Sequence, residues 1–229
     1  MGSGQSSRGH GKSDIPVPFR TAHSPLNKPI IVNFISPTLL IFFLTSNKVE
    51  RFDEKITEIS REAKYNEIVS RLACFKGISR QVAMRVVTEV GDFGRFSTAG
   101  EFASYIGLTP SEHSSGNSEV KGSITKMGNG HVRKTLIEAS QSAIRGVPGR
   151  KGKQLKARQS GNDPKVIHYA DKGNMRFGTK FKKMMEREKN RNTAVTAVAR
   201  EMACFIWGMA AMHIEDRPKF NPETGEILG

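Results

Sequence analysis

The residues best equipped for chemistry stand side by side, in the string His113-Ser114-Ser115-Gly116. A glycine after two serines lets the chain turn sharply and expose a hydroxyl. Lys126, Arg133 and Lys134 follow and offer cations to a phosphodiester. A hydroxyl with cations nearby suits phosphoryl transfer, with Ser114 or Ser115 as the nucleophile. A serine attacks poorly unless something takes its proton or polarises the phosphate, and His113 is the adjacent candidate base. Ser-Ser-Gly is equally an ordinary turn, so the residues alone leave a catalytic serine and an idle one both open.

The elements around this string must position it. Residues 107–131 are polar and punctuated by glycine, which reads as a long functional loop. A short helix over 98–106 ends before it at Gly107, and Val132, Leu136 and Ile137 restart a helical period after it. Upstream, Ile68, Val69 and Leu72 lead into Cys74-Phe75-Lys76-Gly77-Ile78-Ser79, and Val82, Ala83, Val86 and Val87 continue a helical face. This spacing predicts helix, tight glycine turn, helix over 66–90, with Ser79 as the N-cap. Such a hairpin offers unpaired backbone N–H groups to a phosphate, making Gly77 and Arg80 candidate nucleic-acid contacts, although any two-helix hairpin needs the same turn. Before it, Val49, Phe52, Ile56, Ile59 and Ala63 form a heptad stripe. That stripe suits the end of a coiled coil or one amphipathic helix packed on its own domain.

With 36 Lys and Arg against 22 Asp and Glu in 229 residues, the net charge is +14 and the natural partner is a polyanion. The charge is local. Residues 150–191 hold fourteen Lys or Arg against four acids, among them Lys180, Lys182 and Lys183, with Tyr169 and Phe177 as stacking or core residues. The two cysteines, Cys74 and Cys204, lack partners at metal spacing, which argues against a zinc module or a disulfide scaffold and for a reducing, cytoplasmic compartment. Residues 1–28 are rich in Gly, Ser and Pro with no period, and read as disordered. The apolar run 29–44 is too short for a bilayer and contains Pro37, so no membrane is expected. Residues 194–212 read as an apolar core helix that Arg200 and Glu201 keep out of a bilayer.

The strings RFSTAGEFASYIGLTPSEHSSGNS and KGSITKMGNGHVRKTLIEA closely resemble the C-terminal transposase domain of the insertion-sequence one-ten family of DEDD-type recombinases. RLACFKGISRQVAMRVVTEVGDFGRF resembles the same family's hairpin and TAVAREMACFIWGM its closing helix, so the resemblance covers about 49–213. It implies a DNA transposase in which an N-terminal RuvC-like domain binds magnesium through four carboxylates, a coiled coil dimerises the chains and the C-terminal domain supplies a serine nucleophile. A noncoding bridge RNA guides target and donor DNA. By that resemblance the catalytic serine falls on Ser114, with Ser115 second in its motif. The GN-x-x-x-R element falls on Gly128, Asn129 and Arg133, and GSITK on residues 122–126. Nothing in residues 1–48 resembles the RuvC-like domain, so the chain is expected to be truncated, inactive alone, and without a cofactor of its own, magnesium coming only with that domain.

The resulting expectation is an all-α protein. Residues 1–48 form a nonhomologous, largely disordered extension, 49–75 the end of a coiled-coil-like helix, 69–213 the transposase domain and 214–229 a loose tail. Its partners are DNA, the bridge RNA and, in the full-length family, a second copy. Two alternatives remain: a noncatalytic nucleic-acid-binding remnant with Ser114 idle, and a membrane-anchored helical protein.

Overall fold

The computed structural model describes residues 37–115, 118–214, 219–220 and 227–228. By backbone contacts the chain divides into two units, Met1–Ser46 and Asn47–Gly229. Of the first unit, the described residues are the opening turns of a helix, α1 (Pro37–Ile59). The disorder expected over 1–28 lies outside the described residues.

Helix α1 runs across the boundary expected at residue 48. It opens at Pro37, a residue type suited to the first helical position because its missing N–H would have no helical partner there. The run Leu39 to Leu44 is apolar on every side, which hides a 3.6-residue period from sequence. Ile41, Phe42 and Leu44 are exposed. Along the heptad stripe, Val49 and Phe52 are exposed while Ile56 and Ile59 pack on the core. The stripe is interrupted at 60–62 before α2 (Ala63–Leu72) begins.

The second unit is mostly helical, as composition and periodicity predict. After α2 come α3 (Arg80–Val90), capped by Ser79 accepting from the Val82 amide, and α4 (Ala99–Tyr105), capped by Thr98. Then follow α5 (Gly130–Ala143), α6 (Lys153–Gln159), α7 (Pro164–Glu186) and α8 (Arg191–Ala210). Helix α8 is apolar all round and therefore central: α2, α4, α5 and α7 pack on it, and Val198, Ala199 and residues 201–209 are buried. Phe75, Tyr169, Phe177 and Phe205 meet at ring-centroid distances of 5.2–6.4 Å in one aromatic cluster. Tyr169 and Phe177 are thus core residues.

The stretch expected to be a loop is an antiparallel hairpin, β1 (Pro110–Ser115) and β2 (Ser118–Ile124). Its sequence lacks an apolar alternation, so the strand period is invisible, yet pairing lets a polar segment satisfy its own backbone groups. In the tail, β3 (Lys219–Phe220) pairs with β4 (Ile227–Leu228), and the rest of the expected loose tail beyond Ile214 lies outside the described residues. Among the described residues no helix is long and apolar enough to cross a membrane.

Candidate functional site

The hairpin is clamped at its base by the ends of two helices. The Thr125 amide donates to the Thr109 carbonyl at 2.9 Å and the Lys126 amide to the Gly107 carbonyl at 3.2 Å. The Asn129 amide donates to the Tyr105 carbonyl at 2.9 Å, where α4 ends. Gly128 stands at φ +92°, and a Cβ there would run into that same Tyr105 carbonyl, so this crossing requires glycine. The Ser111 hydroxyl donates to the Ser123 carbonyl at 2.8 Å and ties the two strands near their base.

Within the ladder, His113 pairs with Val120, Ser114 with Glu119 and Ser115 with Ser118. The candidate nucleophiles therefore sit at the far end of the hairpin, beside its 116–117 connection. The side chains of residues 112–121, and residues 116–117 altogether, lie outside the described residues.

The cations read from sequence divide into two kinds. Arg133 spends a guanidinium N–H on the Ile106 carbonyl at 3.0 Å, fastening α5 to the end of α4. Asn129 caps α5 by accepting from the Val132 amide at 3.0 Å, and its amide group donates to Glu89 and to the Tyr105 hydroxyl, both at 3.3 Å. Lys126, at φ +56°, and Lys134 are exposed. Lys134 lines a groove of about 640 Å³ between α3 and α5 with Arg85, Glu89, His131 and Glu138. Beside the clamp, the Arg95 guanidinium lies 4.6 Å from the ring centroids of both Phe96 and Tyr105.

The helical hairpin α2–α3 is turned inward. Arg80 donates to the Ser60 hydroxyl and carbonyl, to Asn66 and to Ser70, at 2.8–3.2 Å, and burial with the nearby Arg61 charge lowers its pKa. Gly77, at φ +91°, faces α5 so closely that a Cβ would collide with the Ala139 carbonyl oxygen. Two carbonyls at the start of the turn are occupied. Arg158 donates to Ala73 at 3.0 Å, and Gln159 and Asn174 donate to Cys74 at 3.1 and 3.4 Å. Gly77 and Arg80 accordingly hold the fold together, and nucleic-acid contact at them stands as an expectation from the motif.

On α7 the three lysines read as one group separate. Lys180 pairs with Glu201 at 3.2 Å, Lys182 with Glu186 at 3.9 Å on another side of the helix, and Lys183 is exposed. Glu201 is 1% exposed and also accepts from Arg176 Nε. In the sequence, Glu201 is legible only as a charge that keeps the helix out of a bilayer. A lone acid on an otherwise mostly apolar helix was the available signal, because a buried carboxylate needs a cation from a facing element. Both thiols are buried, which raises Cys74 to about 11 and Cys204 to about 12 and leaves them inert. Among the described residues no three His, Cys, Asp or Glu side chains gather as a metal set.

Residues 69–172 match the model of the Transposase IS116/IS110/IS902 family, from the end of α2 into α7, with the β-hairpin at the centre of the matched segment. The chain is 34% identical over 143 residues to a protein of Sinorhizobium fredii named as transposase y4qE, covering 62% of this chain and 36% of that one. It is 33% identical over 108 residues to the transposase for insertion sequence element IS1111A of Coxiella burnetii, covering 47% and 30%. To the transposase for insertion sequence element IS1533 of Leptospira borgpetersenii it is 29% identical over 143 residues, covering 62% and 40%. The chain spans about a third of the length of the curated relatives it matches.

Proposed function

We propose that this chain, whose residues 69–172 carry a transposase domain of the IS116/IS110/IS902 family, acts in DNA transposition by holding nucleic acid and presenting Ser114 for strand exchange. The observation that carries the reading is the hairpin: a Ser-Ser-Gly string at the end of a short ladder whose base is fixed between α4 and α5, inside the matched segment. In the step itself, the Ser114 oxygen loses its proton to a base, for which His113 is the first candidate, and bonds to a backbone phosphorus. The scissile P–O bond breaks, its electron pair leaving on the deoxyribose oxygen, and DNA stays attached through phosphoserine.

Lys126 at the hairpin's base and Lys134 in the groove between α3 and α5 are exposed and suit incoming phosphates. Guidance by a bridge RNA, pairing with a second copy, a cytoplasmic setting and magnesium held by carboxylates of a RuvC-like domain belong to the same proposal and rest on the family resemblance.

The test is to trap a covalent protein–DNA adduct with a suicide duplex, in the presence of a RuvC-like domain of the family, magnesium and bridge RNA. Ser114→Ala should abolish the adduct while leaving DNA affinity within about twofold, since one hydroxyl adds little to many phosphate contacts. An adduct that persists in Ser114→Ala and disappears in Ser115→Ala would move the nucleophile by one residue. If neither substitution affects it, the serine mechanism is wrong. An adduct formed by the chain alone would make His113 or another internal group the activator.

A further inference from the structure

The cations of α7 are ordered around the helix as well as along it. Lys165, Lys172, Arg176, Lys180 and Lys183 follow one another at steps of seven, four, four and three residues. At 3.6 residues per turn these steps hold all five within about 80° of the helix circumference, along about 27 Å of its axis. Arg187, the C-cap, continues the series. No Asp or Glu of α7 falls in that sector; Tyr169, which does, is buried, as are Val166, Ala170, Asn174 and Phe177 beyond it.

Cations stacked at i, i+4 repel, so such a row costs helix stability unless something answers it. Glu201 of α8 answers the middle of the row. Its buried carboxylate engages Arg176 and Lys180, whose side chains remain 44% and 29% exposed. Lys172 and Lys183, on either side, and Arg187 at the end are exposed. Of the three aromatic residues of the helix, Tyr169 and Phe177 are buried, and Phe181, half-buried under Arg191, stands on the other side, so this face offers no ring on which an unpaired base could stack.

We propose that this face of α7 lies along the sugar–phosphate backbone of duplex DNA. Lys172 and Lys183 make the phosphate contacts, and Glu201 acts as the positioning residue that keeps the row's centre in place. The inference rests on the reading that the chain binds nucleic acid, and it assigns that binding to one helix face of the basic segment.

The experiment compares two doubly substituted full-length chains of equal charge, Lys172→Gln with Lys183→Gln and Lys153→Gln with Lys156→Gln. Both pairs are exposed, and helical content with urea midpoints verifies folding. Affinity is measured against salt for a random-sequence DNA duplex, an RNA duplex of equal length and oligo(dT). For the α7 pair on duplex DNA, the slope of log K against log salt should shrink by about 1.8, two phosphate contacts at about 0.9 each. The α6 pair should leave the slope unchanged. Lys172→Arg with Lys183→Arg should restore it.

Equal losses in both pairs would show a general charge effect and overturn the assignment, as would loss in neither while the chain still binds. A response confined to RNA, or oligo(dT) binding tighter than duplex with the same loss, would overturn duplex DNA as the partner. Failure of the unsubstituted chain to bind any of the three would instead remove the nucleic-acid reading itself.

Discussion

Arg80 is the residue whose part in the molecule changes most between sequence and structure. Beside a glycine turn, an arginine suits a phosphate contact, but this guanidinium gathers Ser60, Asn66 and Ser70 and so joins the end of α1 to α2 and α3. Ser60 is completely buried, and its hydroxyl and carbonyl would lose a charged donor if Arg80 were shortened. Arg80→Met should therefore lower stability by about 2–3 kcal/mol, seen as a lower urea midpoint at unchanged m-value. DNA affinity measured on the folded protein should change no more than a single lost charge allows. A variant of native stability that binds DNA many-fold more weakly would return Arg80 to the phosphate role. Lys180 and Lys182, adjacent to Lys183 in the chain, make the same point, since their charges are answered by Glu201 and Glu186.

At the scale of elements, the β-hairpin is stiffened from its base. Gly128 passes over the Tyr105 carbonyl in a backbone conformation that favours glycine, and the Asn129 amide bonds that same carbonyl. Gly128→Ala forces a Cβ against it and should cost about 1–3 kcal/mol in local strain. The loss should be local: amide exchange at Thr125, Lys126 and Asn129 should accelerate while amides of the buried α8 keep their protection. Equal acceleration in α8 would mean that the hairpin base and the helical core open as one unit. If the proposed serine chemistry is right, the same variant also lowers adduct yield, because the hydroxyl's support has loosened.

Across the whole molecule, the core holds two thiols on different elements, Cys74 in the turn after α2 and Cys204 in α8. Burial raises them from an ordinary 9.0 to about 11 and about 12, so the folded protein holds these protons more tightly than the unfolded chain does. The stability they contribute is complete below pH 9 and drains away as pH climbs toward 11 and 12. Urea midpoints measured from pH 8 to pH 11 should fall for the parent chain and fall less steeply for Cys74→Ala with Cys204→Ala. Parallel curves would show that the thiols do not ionise on unfolding. Much of this architecture was legible beforehand. Helical periods, the Ser79 cap, the Gly77 turn, the basic segment and the apolar closing helix are properties of near neighbours in the chain, and local spacing is enough to find them. The start of α1 was not, because a run that is apolar on all sides carries no period, and the hairpin was not, because two apolar residues in β2 and none but a proline in β1 are too few to show a strand alternation. Nor could spacing show which cations are engaged. Arg80 is joined to Ser60, Arg133 to Ile106, Arg158 to Ala73 and Arg176 to Glu201 across 20 to 85 residues of chain. Only the packing of the helices from the end of α1 to α8 brings those groups within hydrogen-bond reach, and charge placement in a fold is decided by distance in space.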